Sequence, residues 1–211
     1  DRDRRLWFGT LGGLSCFDGQ RFASYTEADG LARNRIFALQ EAEDGDLWIA
    51  TERGLNRFDG AEFETYTTAD GLVHNRVYAL LKARDGRLWL GTEGGLGCYD
   101  GEQFSSFTTA DGLVDDDINE ILEDENGVLW IGTEGGISRY DGEGFANLTA
   151  AEGLPDNHVN GMVFDRDGRL WAGTLAGVTC YDGERFSTLT TADGLASDAV
   201  LRVFQDSKGY M

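Results

Sequence analysis

Proline is almost missing from this chain, with Pro155 the single example among 211 residues. Lysine is nearly as scarce, being confined to Lys82 and Lys208. There are two histidines, His74 and His158, and three cysteines. No apolar run approaches the roughly 18 residues that a membrane span needs. The opening Asp-Arg-Asp-Arg-Arg leads into no apolar core of the kind that marks a secretory leader. Each shortage narrows the function. Three thiols and two imidazoles, far apart in sequence, leave no zinc-ligand pattern. Positive charge is also short, with 18 basic residues against 38 acidic ones and a net charge of −20. Such a surface repels duplex nucleic acid and anionic membranes, so neither is an expected partner. An acidic surface that uses Arg instead of Lys fits a salt-rich habitat, where screening removes self-repulsion, and equally a GC-rich genome that favours Arg codons.

What is present is regular. Hydrophobic residues make up 41%, enough to build a core in one large domain over residues 1–211. Thirty glycines beside one proline fit many tight turns between short strands better than long linkers. The five tryptophans, Trp7, Trp48, Trp89, Trp130 and Trp171, are spaced 41 residues apart without insertion or deletion. Around each runs Leu-Trp-x-Gly/Ala-Thr-x-x-Gly-apolar, so the repeats begin near Leu6, Leu47, Leu88, Leu129 and Leu170. A fixed period of this length marks solenoids, propellers or arrays.

The content of the period chooses among these. The first copy reads LWFGT, GLSCF, RFASYT and then RIFALQEA, four short runs rich in β-branched and aromatic residues. Asp-Gly joins the second run to the third at Asp18-Gly19, Asp59-Gly60, Asp100-Gly101, Asp141-Gly142 and Asp182-Gly183. Glycines 45, 86, 127, 168 and 209 stand between the fourth run and the next Leu-Trp. These dipeptides supply the positive φ that tight hairpins require. Four antiparallel strands per roughly 40 residues make the blade of a β-propeller, so the chain is expected to be an all-β propeller of five four-stranded blades. The recurring Trp, Phe22 with its counterparts and Phe17 with its counterparts are expected to fill the space between sheets. The segment from Ala199 onward matches the first strand of a blade and is expected to pair with Leu6–Thr10, completing the first blade and leaving no open edge. Residues 1–6 and 206–211 are equivalent, which leaves one redundant turn in a closed ring of five. A fragment of a larger propeller, or an oligomeric ring, accounts for that overlap as well.

LWIGTEGGISRYDGEGF, followed by Gly-Leu-x-x-Asn and an apolar strand ending in Asp-x-Asp-Gly, resembles the two-component regulator propeller repeat over essentially the whole chain. The resemblance implies an extracytoplasmic, periplasmic sensor region of a hybrid two-component system. It also implies sensing of a ligand, often a glycan fragment, with the signal passed through a membrane to a kinase. Propellers of that family commonly have seven blades, and the kinase and membrane modules are not part of this sequence.

No catalytic constellation is read from the residues, so the chain is expected to be a binding protein without cofactor or metal. Cys16, Cys98 and Cys180 share one repeat position, held by Arg57 and Arg139 in the other blades. Equivalent positions on separate sheets lie about 10 Å apart, too far for a disulfide, so the thiols read as buried fillers. Asp165-Arg166-Asp167-Gly168 resembles the start of a calcium loop but lacks the later carboxylate such a loop needs, and a hairpin turn is the expectation. His74 and His158 lie two blades apart, and a propeller lyase, the enzymatic alternative, would need one of them with a carboxylate or metal in a funnel.

Binding is expected where the copies differ. After Asp-Gly-Leu the loops read Ala32-Arg33-Asn34-Arg35, Val73-His74-Asn75-Arg76, Val114-Asp115-Asp116-Asp117, Pro155-Asp156-Asn157-His158 and Ala196-Ser197-Asp198-Ala199. The third position is Asn or Asp throughout, as a structural cap would be. The others diverge: Arg33, Arg35, His74 and Arg76, with Arg53 from the neighbouring turn, make a basic sector, and blade three answers with Asp115 and Asp117. The next strand adds Phe37 and Tyr78 where later blades carry Asn119, Asn160 and Leu201. Arg forks beside aromatic faces suit an acidic or neutral oligosaccharide, with His158 at the margin of the set. Two other readings stay open: charges that only pair with Asp115–Asp117, and a protein-interaction platform without a small-molecule ligand.

Overall fold

The computed structural model describes residues 1–211 and divides into two compact units, Asp1–Ser106 and Phe107–Met211. In the first unit β1 (Leu6–Thr10), β2 (Gly13–Phe17) and β3 (Phe22–Tyr25) form a three-stranded antiparallel sheet. Two four-stranded sheets follow: β4 (Ile36–Glu41), β5 (Leu47–Thr51), β6 (Gly54–Phe58) and β7 (Phe63–Tyr66), then β8 (Val77–Lys82), β9 (Leu88–Thr92), β10 (Gly95–Tyr99) and β11 (Phe104–Phe107). The second unit holds β12 (Ile118–Glu123), β13 (Leu129–Thr133), β14 (Ile137–Tyr140) and β15 (Phe145–Leu148). Its other sheet is β16 (Val159–Phe164), β17 (Leu170–Thr174), β18 (Gly177–Tyr181) and β19 (Phe186–Leu189). The chain is all-β with five meandering sheets, as its period predicts.

The turns are made by the residues that mark them in the sequence. Asp59 Oδ1 accepts the backbone N–H groups of Ala61 and Glu62, both at 2.8 Å, and Gly60 sits at φ 100°. Thr51 closes the β5–β6 turn, its hydroxyl donating to the Gly54 carbonyl at 2.8 Å and accepting from Arg53 N at 3.2 Å. Gly54 itself has φ 142°, and a Cβ there would stand 2.7 Å from the Tyr66 carbonyl oxygen, so this turn admits no larger residue without moving β7. Each sheet ends on a Thr-capped turn of 3-10 helix. In the second, Thr67 accepts from Ala69 N, and Asp70 accepts from Thr67 N at 2.9 Å. The recurring Asn or Asp beyond Asp-Gly-Leu ties this turn to the next strand: Asn75 Oδ1 accepts Thr68 N at 2.8 Å, and Asn34, Asp116, Asn157 and Asp198 repeat the bond.

Apolar residues of adjacent sheets meet within each unit. In the first, Trp48, Ala50, Leu55, Leu72, Val77, Leu88 and Leu90 cluster, with Tyr66, Tyr99 and Phe104 packed against them. In the second, Trp130, Ile137, Leu154, Val159, Met162 and Leu170 form the same arrangement. Cys16, Cys98 and Cys180 are buried and unpaired fillers. Asp165 is a turn residue: its Oδ1 accepts the N–H groups of Asp167 and Arg169, and its Oδ2 accepts Arg169 Nε at 2.7 Å and Trp171 Nε1 at 2.8 Å.

Burial pushes the Asp165 pKa up, but the bonds from Trp171 and Arg169 outweigh it and hold the carboxyl below its ordinary value. A lowered carboxyl pKa adds stability at neutral pH that is lost as pH falls through the folded-state value. The melting-temperature gap between wild type and Asp165→Asn is therefore expected to narrow as pH drops below about 4. A gap that stays constant down to pH 2 would show that the charge on Asp165 contributes nothing.

Two expectations are corrected. The first sheet has three strands, and residues 199–211 form no strand that completes it. The C-terminal segment is held on blade five instead: Val200 N donates to the Thr174 carbonyl at 2.8 Å, and its side chain covers Gly173. This repeats the contact that Val159 makes with Gly132, so docking on the preceding sheet, through apolar side chains, places the segment without any β-ladder. β1 accordingly keeps an exposed Leu6 and Phe8, whereas β5, β9 and β13 are buried along their whole length. Phe22 is 63% exposed and not core. Its counterparts Phe63 and Phe104 lean on Gly30 and Gly71 of the preceding repeat, a support that the first repeat lacks, and Phe22 stacks only on Phe8 and Phe17.

Candidate functional site

The first strand of each four-stranded sheet carries a β-bulge. Register shifts between Ile36 and Ala38, Val77 and Ala79, Ile118 and Glu120, and Val159 and Gly161. The unpaired residues are Phe37, Tyr78, Asn119 and Asn160, and a bulge re-aims the side chain it carries. Phe37, Tyr78 and Asn119 meet a neighbouring sheet of their own unit, and Asn160 meets the C-terminal segment. Phe37 and Tyr78 meet edge-to-face at 4.9 Å. Asn119 donates to the Val159 carbonyl at 3.0 Å, and Asn160 to that of Val200 at 3.1 Å.

The basic sector gathers beside the aromatic pair. Arg35 lies over the Phe37 ring at 5.1 Å. Glu52, on the turn after β5, faces Arg33 at 3.7 Å and both Arg35 and Arg76 at 3.6 Å. Arg33 also meets Glu27 at 3.4 Å, and Arg76 meets Glu93 at 2.7 Å. The Tyr78 hydroxyl, then Glu93 and Glu52, raise the already high pKa of Arg76. His74 accepts the backbone N–H of Arg76 through Nδ1 at 3.2 Å and rests against Gly94, so it shapes the loop. Arg53 points to solvent without an ionic partner. Arg33, Arg35, Phe37, His74, Arg76 and Tyr78 thus come together in the first unit.

Asp115, Asp117 and His158 belong to the second unit. Asp115 Oδ1 accepts Asp117 N at 2.8 Å. His158 Nε2 lies 3.0 Å from Asn160 Oδ1, and its Nδ1 lies 3.8 Å from Glu134. The arginines are neutralised by Glu27, Glu52 and Glu93 of their own loops, where the sequence pointed to Asp115–Asp117. Those glutamates were missed because Thr-Glu recurs at Glu52, Glu93 and Glu134 and so looked like scaffold.

Sheets built at this period, with tryptophan seams and Asp-Gly turns, define the chain as a β-propeller repeat protein. Four of its repeats match the profile of the two-component regulator propeller family, at residues 30–53, 71–94, 112–135 and 153–176. The chain is similar to the extracellular domain of the putative hybrid two component system BT3049 from B. thetaiotaomicron. The two share 26% identity at a TM-score of 0.86 over 99% of this chain and 31% of that one. The extracellular domain of the putative one component system BT4673 from the same organism shares 25% identity at a TM-score of 0.76, over 90% of this chain and 30% of that one. The chain therefore spans about a third of the length of these structures. Virginiamycin B lyase from Staphylococcus aureus shares the fold alone, at 14% identity and a TM-score of 0.69 over 88% of this chain and 66% of that one. No curated protein matches the sequence. No helix is long and apolar enough to cross a membrane.

Proposed function

We propose that this propeller is the ligand-binding part of an extracytoplasmic sensor, and that it takes a neutral oligosaccharide at the Arg33–Arg35–Arg76 sector. The observation that carries the reading is the compensation of these guanidinium groups by Glu27, Glu52 and Glu93 around a half-buried aromatic pair. Fixed donors and acceptors alternate there, which matches hydroxyl groups that both donate and accept. The rings of Phe37 and Tyr78 supply apolar faces for the C–H side of a sugar. An anionic ligand would have to displace the glutamates, so a neutral glycan fits better than an acidic one. The likeness to extracellular domains of regulatory systems supports a sensing role and an extracytoplasmic location.

A glycan panel read by thermal shift tests the proposal. A true ligand at 100 times its Kd should stabilise the protein by about 2.7 kcal/mol. The double variant Arg35→Ala, Arg76→Ala is expected to fold and to bind the hit roughly tenfold or more weakly, since it removes charge-assisted donors. Silence across the panel would favour a platform for protein partners, and full affinity in the double variant would place the ligand elsewhere.

A further inference from the structure

Three blades hold their tryptophan with an aspartate six residues earlier. Asp1 accepts Trp7 Nε1 at 2.8 Å, Asp124 accepts Trp130 Nε1 at 3.1 Å, and Asp165 accepts Trp171 Nε1 at 2.8 Å. In blades four and five the same carboxylate also accepts a backbone N–H two residues on, from Asn126 and Asp167. Blades two and three have Ala42 and Ala83 at this position. Trp48 is 5% exposed; its indole N–H meets no protein acceptor and reaches solvent, and the backbone N–H of the exposed Asp44 is likewise without a protein acceptor. Both donors are left where blades one, four and five place a carboxylate.

The vacancy opens on a cleft. Ala42 and Trp48 line a cavity of about 410 Å³ between blades two and three, with Arg57, Lys82 and Tyr99 on its walls. Arg57 lies over the Trp48 ring at 5.6 Å and is held by Asp44 and by Asp46 at 2.7 Å. Lys82 donates to the Gly86 carbonyl at 2.6 Å and stands 3.6 Å from Glu43. An ammonium has three donors, so capacity remains for a further acceptor.

We propose that this cleft binds the carboxylate of a ligand, which takes the place of the missing aspartate and accepts the Trp48 indole N–H and the Asp44 backbone N–H. The site lies at the Asp-Gly turns and shares no residue with the oligosaccharide sector. Glu43, Asp44 and Asp46 outnumber Arg57 and Lys82, so recognition rests on short-range donors and not on long-range attraction. Weak, millimolar affinity is expected for a bare carboxylate, with more for a carboxylate carried on a sugar or peptide that fills the cleft.

Protein with nitrogen-15-labelled tryptophan gives one indole N–H signal per tryptophan, and Trp48→Phe assigns that of Trp48. Sodium acetate titrated against chloride at constant ionic strength is expected to move the Trp48 signal saturably and to leave those of Trp130 and Trp171 in place. In Ala42→Asp the Trp48 signal should no longer respond, because the built-in carboxylate occupies the site. A Trp48 signal that does not move with acetate overturns the proposal, as does an equal shift in Ala42→Asp. Should Ala42→Asp fail to fold, the wild-type titration decides alone. D-galacturonate and a blocked aspartyl peptide, run in parallel, separate the sources: earlier saturation by one names a uronic acid or a protein carboxylate. This titration reads Trp48 and the glycan panel reads Arg35 and Arg76, so either reading can fail without the other.

Discussion

Trp89→Ala is expected to destabilise the protein by about 3–5 kcal/mol, the range for removing a buried aromatic side chain and leaving a cavity. Trp89 is 1% exposed, the most buried of the five, and lies beneath the Arg87 guanidinium at 5.1 Å. The repeat supplies its own controls, since equivalent residues are buried to different depths. Trp48 at 5% and Trp130 at 8% should cost less, and the half-buried Trp7 and Trp171 least. Urea unfolding of the five alanine variants would measure this, with the midpoint moving and the slope constant if the native state keeps its compactness. A flat series would mean that burial of the indole is not what these positions contribute.

Asn56→Ala is expected to lose stability and binding together. Asn56 is wholly buried. Its Oδ1 accepts Ala32 N at 2.9 Å, and its Nδ2 donates to Thr65 Oγ1 at 2.6 Å and to the Glu64 carbonyl. The alanine leaves these buried groups unpaired, at a cost of about 1–3 kcal/mol. It also unpins the loop that carries Arg33 and Arg35, so affinity for a glycan hit should fall although Asn56 does not touch the ligand. Ser138 bonds Val114 N at 2.9 Å in the equivalent loop of the second unit, so Asn56→Ser should recover part of both losses. A variant that is less stable but binds normally would show that the loop is held by its other contacts, chiefly the Asn34–Glu27 bond.

The strands and turns were legible because each is dictated locally. Asp-Gly at positions 59–60 has one low-energy use between two apolar runs, and the structure makes that use of it. The placement of the C-terminal segment was not legible, because a strand-like pattern does not state its partner, and Val200 finds the sheet it follows in sequence. Of the candidate site, the arginines stood out against a chain of −20 charge, but the glutamates that neutralise them did not. The bulge that turns Phe37 toward Tyr78 left no trace in the letters, since it lies in hydrogen-bond register and not in composition. The vacancy beside Trp48 was visible as Ala42 and Ala83 in a column of aspartates. Its meaning needed the bonds that Asp124 and Asp165 make elsewhere.

The bulged position has an evolutionary consequence. Residues 37, 78, 119 and 160 stand outside the ladder that sets strand register, so their identity is free of the demands that keep the rest of the repeat uniform. Ring, amide and other side chains can be exchanged there copy by copy while the fold is inherited unchanged. A lineage built on this repeat can therefore drift from one specificity to another by point substitution alone, without passing through an unfolded intermediate design.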